Sequence, residues 1–476
     1  MPSGGAVQGG RRRTRLAWSM GQHGHQRQHG GVGLLRQNLQ HGASSERGDN
    51  GSAIRSGSSG NLGHFGTALS IQCAWATSHS ASFERQRPKS CSTQGVIKSG
   101  LRASGFCLAG CRICELACMK EMRFFVHLLV LMMSTQIALS QGWRGVDVSF
   151  LPEMEGDGVI YQDAMGEVIQ DPRAWMAEQG VNLVRLRVWH NPDQGLRSSW
   201  LEVVEEASKW DALDVPILID YHFSDTWADP GHQELPSAWE GQTFEEVQTS
   251  MTCWLHCTLE ALAVRDIEPA MVQLGNEIDP GMMFPHGNVA NGFGPLADLL
   301  NAGHNVVSGV FPACQVAVHV SSLDIAPWFF GMLSQAGYTP DIVAVSQYSK
   351  WHLQSMGEIS DAVLSLNQST GVPVFIAETA YAWTTQWADW TDNLWWVGDE
   401  TPGYSFTPSG QLAYMQALRS ALDGLGSDVC IGWCYWAPDW VASQGETSAE
   451  GSSWENAVLF DFDWGALPAW EAFNAP

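Results

Sequence analysis

From residue 142 onward, short β-branched runs alternate with longer stretches of helical period. The runs are Gly145–Phe150, Asn182–Trp189, Pro216–Phe223, Met271–Glu277, Gln315–Val320, Ile342–Tyr348, Val374–Glu378 and Ile431–Trp436. Their lengths suit strands rather than helices. Between them lie amphipathic patterns such as Ser199–Ala212, Thr243–Val264, Leu296–Val310 and Gly410–Leu422. Eight strands alternating with helices predict an α/β fold, a (β/α)8 TIM barrel, as a single catalytic domain over residues 141–476. A doubly wound open sheet is the structural alternative. It would normally carry a Gly-rich phosphate loop after its first strand, and none follows Gly145–Phe150.

In such a barrel the chemistry sits at the C-terminal strand ends. Those ends read Arg185-Leu186-Arg187-Val188-Trp189, Asp220-Tyr221-His222, Gly275-Asn276-Glu277, His319, Gln347-Tyr348, Ala377-Glu378-Thr379 and Trp436-Ala437-Pro438-Asp439-Trp440. Glu277 and Glu378 close the fourth and seventh strands, on opposite sides of an eight-membered ring, so they can face each other across its mouth. Glycoside hydrolysis with retention needs such a pair, one carboxyl as acid and the other ionised as nucleophile. Asn276 is placed to hydrogen-bond the sugar hydroxyl beside the reacting centre. Arg185 and Arg187 are two apart and share one strand face, expected to be the barrel interior. A buried Arg needs a carboxylate partner, and its charge would keep a nucleophilic Glu ionised.

Composition adds a substrate class and a boundary. Of 23 Trp, 21 follow residue 119. Aromatic faces stack on the apolar faces of sugar rings. Trp227, Trp239, Trp351, Trp383, Trp436 and Trp440 fall in expected rim loops or strand ends and are the groove candidates. The net charge is −25, and the charge is uneven. Residues 1–141 hold 16 of the 25 Lys and Arg and five acids, leaving nine basic and 45 acidic side chains afterwards. Such acidity argues against nucleic acid as a partner. Residues 1–118 are rich in Gly, Ser, Gln, His and Arg, and are expected to be disordered or a misread upstream extension. The run Arg11-Arg12-Arg13-Thr14-Arg15 and the Cys107, Cys111, Cys114, Cys118 spacing are read as parts of that extension, not as a nucleic-acid patch or a metal site. Residues 119–140 have the layout of a signal peptide: a positive start, an apolar run from Phe124 to Met133, and Ala138-Leu139-Ser140 as cleavage site. The run is too short for a stable membrane span. Translation from Met119 or Met122 and secretion, extracellular or periplasmic, are the expectation. Five Cys follow, an odd number that implies no complete disulfide framework.

The motifs resemble a known family. Asp220-Tyr221-His222-Phe223 followed by Ser224-Asp225-Thr226-Trp227-Ala228-Asp229-Pro230-Gly231-His232-Gln233 is similar to the third-strand signature of the glycoside hydrolase family 53 endo-β-1,4-galactanases. It is joined in order by Gly145-Val146-Asp147-Val148-Ser149, Val184-Arg185-Leu186-Arg187-Val188-Trp189, Val272-Gln273-Leu274-Gly275-Asn276-Glu277-Ile278 and Glu378-Thr379-Ala380-Tyr381. Tyr435-Trp436 with Pro438, Trp454-Glu455-Asn456 and Leu459-Phe460-Asp461 complete the series, so the likeness spans about residues 142–476.

That resemblance implies a retaining (β/α)8 hydrolase that cuts β-1,4-galactan in type I arabinogalactan, the side chain of pectin. It implies Glu277 as acid/base and Glu378 as nucleophile. Arg185, His222, Asn276, Tyr348 and Trp436 match positions around the reacting sugar. With Asp225, Trp227, His319 and Trp351 they form the expected substrate-binding set. No cofactor is implied by the chemistry, and a monomer is expected. The chain departs from the family at Ser346-Gln347-Tyr348-Ser349-Lys350-Trp351, at Trp436-Ala437-Pro438-Asp439-Trp440 and at Phe284, where Trp is common; these bear on subsite affinity and product length. It also lacks the Asp-Gly-Asp-Gly-His calcium loop of bacterial members, having Trp383–Trp396 with Asp389, Asp392 and Asn393 there. Those oxygens make calcium conceivable, and it is not predicted. The rival expectations are another β-glycanase of the clan, such as a mannanase or xylanase, and a galactan-binding protein without catalysis.

Overall fold

A computed structural model describes residues 142–192 and 197–474. The extension 1–118 and the signal-peptide segment 119–140 lie outside the described residues. Eight parallel strands close into one barrel: β1 (Trp143–Asp147), β2 (Leu183–Val188), β3 (Ile217–Tyr221), β4 (Met271–Leu274), β5 (Gln315–Val320), β6 (Ile342–Ser346), β7 (Val374–Thr379) and β8 (Cys430–Trp436). Each strand pairs with its sequence neighbours, and β1 closes on β8 from Trp143 opposite Gly432 to Asp147 opposite Trp436. The predicted barrel is therefore the observed fold.

The surrounding helices are α1 (Leu151–Gly156), α2 (Pro172–Glu178), α3 (Trp200–Asp211), α4 (Phe244–Ala263), α5 (Gly294–Val310), α6 (Ala326–Gln335), α7 (Met356–Thr370) and α8 (Pro408–Asp423). Their starts are written in the sequence. The side chains of Asp171, Ser199, Thr243, Ser355 and Thr407 accept from backbone N–H groups of the first turn, and Thr243 with Glu246 forms a full capping box. Arg173 on α2 ties the first three helices together, bonding Glu155 of α1 at 2.7 Å and Glu206 of α3 at 2.7 Å. Among the described residues no helix is long and apolar enough to cross a membrane. Cys253, Cys314, Cys430 and Cys434 are free thiols.

The barrel interior changes character along its axis. Its lower layers are Leu183, Leu218, Met271, Ile342 and Phe375 with the small Ala317, Ala344, Ala377 and Cys434. One pleat higher, at the C-terminal end, the same strands turn Asp147, Arg185, Asp220, Gln273, His319 and Ser346 inward by strict alternation. Strand β7 breaks that alternation. Phe375 and Ala377 belong to the interior layer, so period two would send Glu378 outward to the helices. Against β6, Val345 pairs with Ile376 and the next residue, Ser346, pairs with Glu378. Against β8, Trp433 pairs with Ile376 and Tyr435 with Thr379. Both neighbours thus record one extra residue in β7, a bulge that returns Glu378 to the interior.

A second irregularity lies on β8, where Cys430 and Gly432 pair with consecutive residues Val374 and Phe375. Gly432 has φ +138°, and a Cβ there would stand 2.2 Å from the Trp143 carbonyl oxygen on the closing strand. Neither the conformation nor the space admits a side chain. Gly432→Ala is therefore expected to destabilise the barrel by about 2–4 kcal/mol, read as a lower denaturant midpoint with an unchanged slope.

Candidate active site

The site is organised around Arg185. Its side chain is 1% exposed, and its guanidinium meets Asp147 at 2.7 Å, Asp220 at 2.9 Å and Glu378 at 2.9 Å. Two neutral oxygens complete the shell: Asn276 Oδ1 accepts from Nη2 at 2.8 Å and Gln273 Oε1 from Nε at 3.3 Å. Three carboxylates from β1, β3 and β7 thus converge on one cation. Burial works against that charge, yet the carboxylates raise the Arg185 pKa far above its ordinary value. Burial also pushes Asp220 up, but Arg185 and the His222 ring outweigh it and hold Asp220 at about 2. His222 donates from Nε2 to Asp220 at 3.0 Å and accepts at Nδ1 from the Ala228 amide at 3.0 Å and Trp189 Nε1 at 3.3 Å.

The two glutamates stand in different surroundings. Glu378 has Arg185 on one oxygen and accepts from the Tyr348 hydroxyl on the other, at 2.9 Å. Among the described residues Glu277 has no cation at hydrogen-bond distance, and its Oε1 lies 2.6 Å from Ser346 Oγ. Burial raises both carboxyls, and the charge of Glu378 raises Glu277 further, whereas Arg185 draws Glu378 back. Glu277 is thus the carboxyl that keeps its proton, and Glu378 the first to ionise. Glu277 sits at φ +46° just after Gly275 at φ +85°, so β4 ends in a left-handed turn that tips this side chain into the mouth. A Cβ on Gly275 would meet Ile278 Cγ2 at 2.5 Å.

The structure brings together Arg185, His222, Asn276, Glu277, Tyr348 and Glu378, as the strand ends implied. Trp436 and Trp227 line the same mouth, half-buried, with ring centroids 6.1 Å apart. Trp436 also meets Trp454 at 4.8 Å, and Tyr348 lies between Trp454 at 5.7 Å and Trp351 at 5.5 Å. Arg187 lies under this aromatic wall, 4.0 Å from the Trp227 ring centroid and 4.7 Å from that of Trp189. Its burial lowers its pKa to about 10. Two residues of the expected binding set hold others in place. Asp225 accepts from the Asn191 amide at 2.9 Å and from Ser237 N and Oγ at 2.8 and 2.6 Å, stapling two rim loops. His319 is fully buried beneath Asn276 with both ring nitrogens bonded inside the protein. Of the other groove candidates, Trp239 is buried against His190 and Trp254, Trp383 packs on Phe462, and Trp440 stacks on Phe150 at 3.9 Å.

Sequence reasoning passed over Asp147, Asp220, Gln273 and Ser346 as site residues. The available signal was alternation: each lies two residues from an inward side chain at a strand's upper end. In the loop after β7, Asp389 and Asn393 are buried beside Glu455, whose Oε1 accepts from Asn393 Nδ2 at 2.9 Å, and Asp392 is exposed. Unpartnered oxygens remain there on Asp389, Asn393 and Glu455, so an oxygen-seeking cation fits in part. Among the described residues, no three His, Cys, Asp or Glu side chains group as a metal would require.

The profile of glycosyl hydrolase family 53 matches residues 143–473, the whole barrel. The chain belongs to glycosyl hydrolase family 53. It is a glycoside hydrolase, with a polysaccharide as substrate. It is 32% identical over 343 residues to the arabinogalactan endo-β-1,4-galactanase of Cellvibrio japonicus, covering 70% of this chain and 90% of that one. The endo-β-1,4-galactanase of Bacillus subtilis is 26% identical over 374 residues, covering 70% and 85%. Among solved structures, the family 53 catalytic domain of Ignisphaera aggregans is 34% identical with a TM-score of 0.65, covering 70% of this chain and 95% of that one. In this family 53 enzyme, Arg185 is the only cation bonded to Asp147, Asp220 and Glu378 among the described residues. Arg185→Ala is expected to cost about 3–5 kcal/mol of stability at pH 7 by leaving buried carboxylates unpaired. Without the cation those carboxyls titrate higher, so protonation relieves the strain and the deficit shrinks as pH falls; urea unfolding of both proteins at pH 7 and pH 5 measures it.

Proposed function

We propose that the enzyme is a secreted endo-β-1,4-galactanase that cuts the galactan of type I arabinogalactan by double displacement. Glu378 attacks C1 of a galactosyl unit while Glu277 protonates the departing O4. Glu277 then deprotonates a water, which releases the galactosyl-enzyme with retained configuration. Neither step calls on a cofactor.

The observation that carries this reading is the asymmetry of the two carboxyls. A nucleophile must be ionised, and Glu378 is the one beside Arg185 and the Tyr348 hydroxyl. An acid must hold a proton, and Glu277 is the buried one that no cation pairs with among the described residues. Substrate choice rests on the names of the relatives from Cellvibrio japonicus and Bacillus subtilis and on the Ser224–Gln233 signature. Secretion rests on the signal-peptide layout of residues 119–140.

Reducing-sugar release from debranched β-1,4-galactan is the first test. Glu277→Gln is expected to lower kcat about 10²–10⁴-fold, and Glu378→Gln at least as far. Proton NMR of the first-formed product should show the β anomer before mutarotation, and the α anomer would discard double displacement. Cleavage of mannan or xylan instead of galactan would keep the mechanism and discard the specificity. Galactan binding without cleavage would point to a binding protein.

The pH profile supplies a further expectation. Activity rises through the ionisation of Glu378 and falls as Glu277 loses its proton, giving a bell. The Tyr348 hydroxyl donates to ionised Glu378 and holds its pKa down. Tyr348→Phe is therefore expected to move the acid limb of kcat/KM to higher pH and leave the alkaline limb in place.

A further inference from the structure

The hydrogen bonds beneath Glu277 bear on how it holds its proton, a question that rests on the two-carboxyl mechanism proposed above. Asn276 has a fixed amide orientation: Oδ1 accepts from Arg185 Nη2 at 2.8 Å, and Nδ2 donates to the Ala228 carbonyl at 2.8 Å. His319 Nδ1 lies 2.8 Å from that same Oδ1, an atom that can only accept. Nδ1 therefore carries a hydrogen. Gln273 Nε2 lies 3.2 Å from Nδ1, but its two hydrogens go to Asp220 Oδ1 at 2.6 Å and to the Gly275 carbonyl at 3.1 Å.

Burial and the neighbouring Arg185 keep His319 neutral. Its Nε2 is then a bare acceptor, 3.0 Å from Ser346 Oγ. The single Ser346 hydrogen must point at Nε2. Nothing is left for it to donate to Glu277 Oε1 at 2.6 Å, so that short contact closes only when Oε1 carries the proton and donates to Ser346. Every link runs one way: Glu277 to Ser346, Ser346 to His319, His319 to Asn276, which Arg185 anchors.

The geometry points to Ser346 and His319 as positioning residues, a one-directional hydrogen-bonded chain that holds the proton on Glu277 in the resting enzyme. Other charges face Glu277 from Glu378 on β7, Asp279 beyond β4 and Asp229 beyond β3, with the neutral Tyr348 beyond β6. Arg185, Asp220 and His222 face His319. None of them is an alternative partner for the Ser346 hydroxyl among its bonds. When Glu277 gives its proton to the leaving oxygen, the chain is left one hydrogen short, since Ser346 can then satisfy either the carboxylate or Nε2. That deficit draws the proton back from water in the second step.

His319→Phe tests this. It frees the Ser346 hydroxyl to donate to ionised Glu277, so the alkaline limb of kcat/KM should move to lower pH. Hydrolysis of galactan at neutral pH should fall roughly tenfold, the worth of about one hydrogen bond. A dinitrophenyl β-galactobioside, whose leaving group needs no acid, should be cut within about twofold of the parent rate. In a Ser346→Ala background, the same change should no longer move the alkaline limb, because the link is already cut. Equal losses on both substrates with an unmoved limb would overturn the proposal.

Nitrogen-15 NMR of histidine-labelled parent enzyme reads the same claim without a variant. His319 should be Nδ1-protonated with a hydrogen-bonded, unprotonated Nε2, and the opposite tautomer overturns the chain. Full activity of Glu277→Gln on galactan would instead sink the acid/base assignment itself, so the two failures are told apart.

Discussion

One guanidinium holds the reacting centre together. Arg185 accepts the burden of three carboxylates from three strands of the ring, Asp147, Asp220 and Glu378, at 2.7 to 2.9 Å. Buried charges are tolerable only when paired and hydrogen-bonded, and here each carboxylate has a second donor. Ser149 serves Asp147, Gln273 and His222 serve Asp220, and Tyr348 serves Glu378. The cation fixes the aim of Asn276 as well, through Oδ1. Removing it would loosen strands β1, β2, β3 and β7 and the residue before Glu277 together.

The arrangement also separates two chemically identical side chains. Glu277 and Glu378 are both nearly withdrawn from water, so burial alone would protonate both. The difference comes from position: β7 places its Glu against the Arg of β2, whereas the left-handed end of β4 turns its Glu toward a serine. Two ionisation tendencies follow from one residue type because the ring presents each member to a different neighbour. Above them Trp227 and Trp436 supply apolar faces, the buried Trp454 packs edge-on against Trp436, and the cation of Arg187 braces Trp227 from beneath.

Much of this was legible in the sequence. Eight β-branched runs gave the barrel, and their last residues gave Arg185, His222, Asn276, Glu277, Tyr348 and Glu378, because strand ends in a (β/α)8 ring share one rim. What escaped was the layer below the rim. Asp147, Gln273 and Ser346 sit inside apolar runs, where a single polar residue is easily taken for a loop edge. His319 was read as a sugar contact because strand position shows which side of the ring a residue faces, but not whether Asn276 stands between it and the groove.

The bulge at Ala377 has a consequence for how this scaffold tolerates change in length. A point substitution elsewhere in β7 leaves the count of residues intact, so Glu378 keeps its inward aim. Regular pairing at the same length would turn the carboxylate outward among the helices, whereas loss of Ala377 would remove the extra residue and leave Glu378 opposite Ser346, still facing inward. The inward aim of Glu378 thus depends on how the strand accommodates its extra residue, a form of information carried by length rather than by residue type.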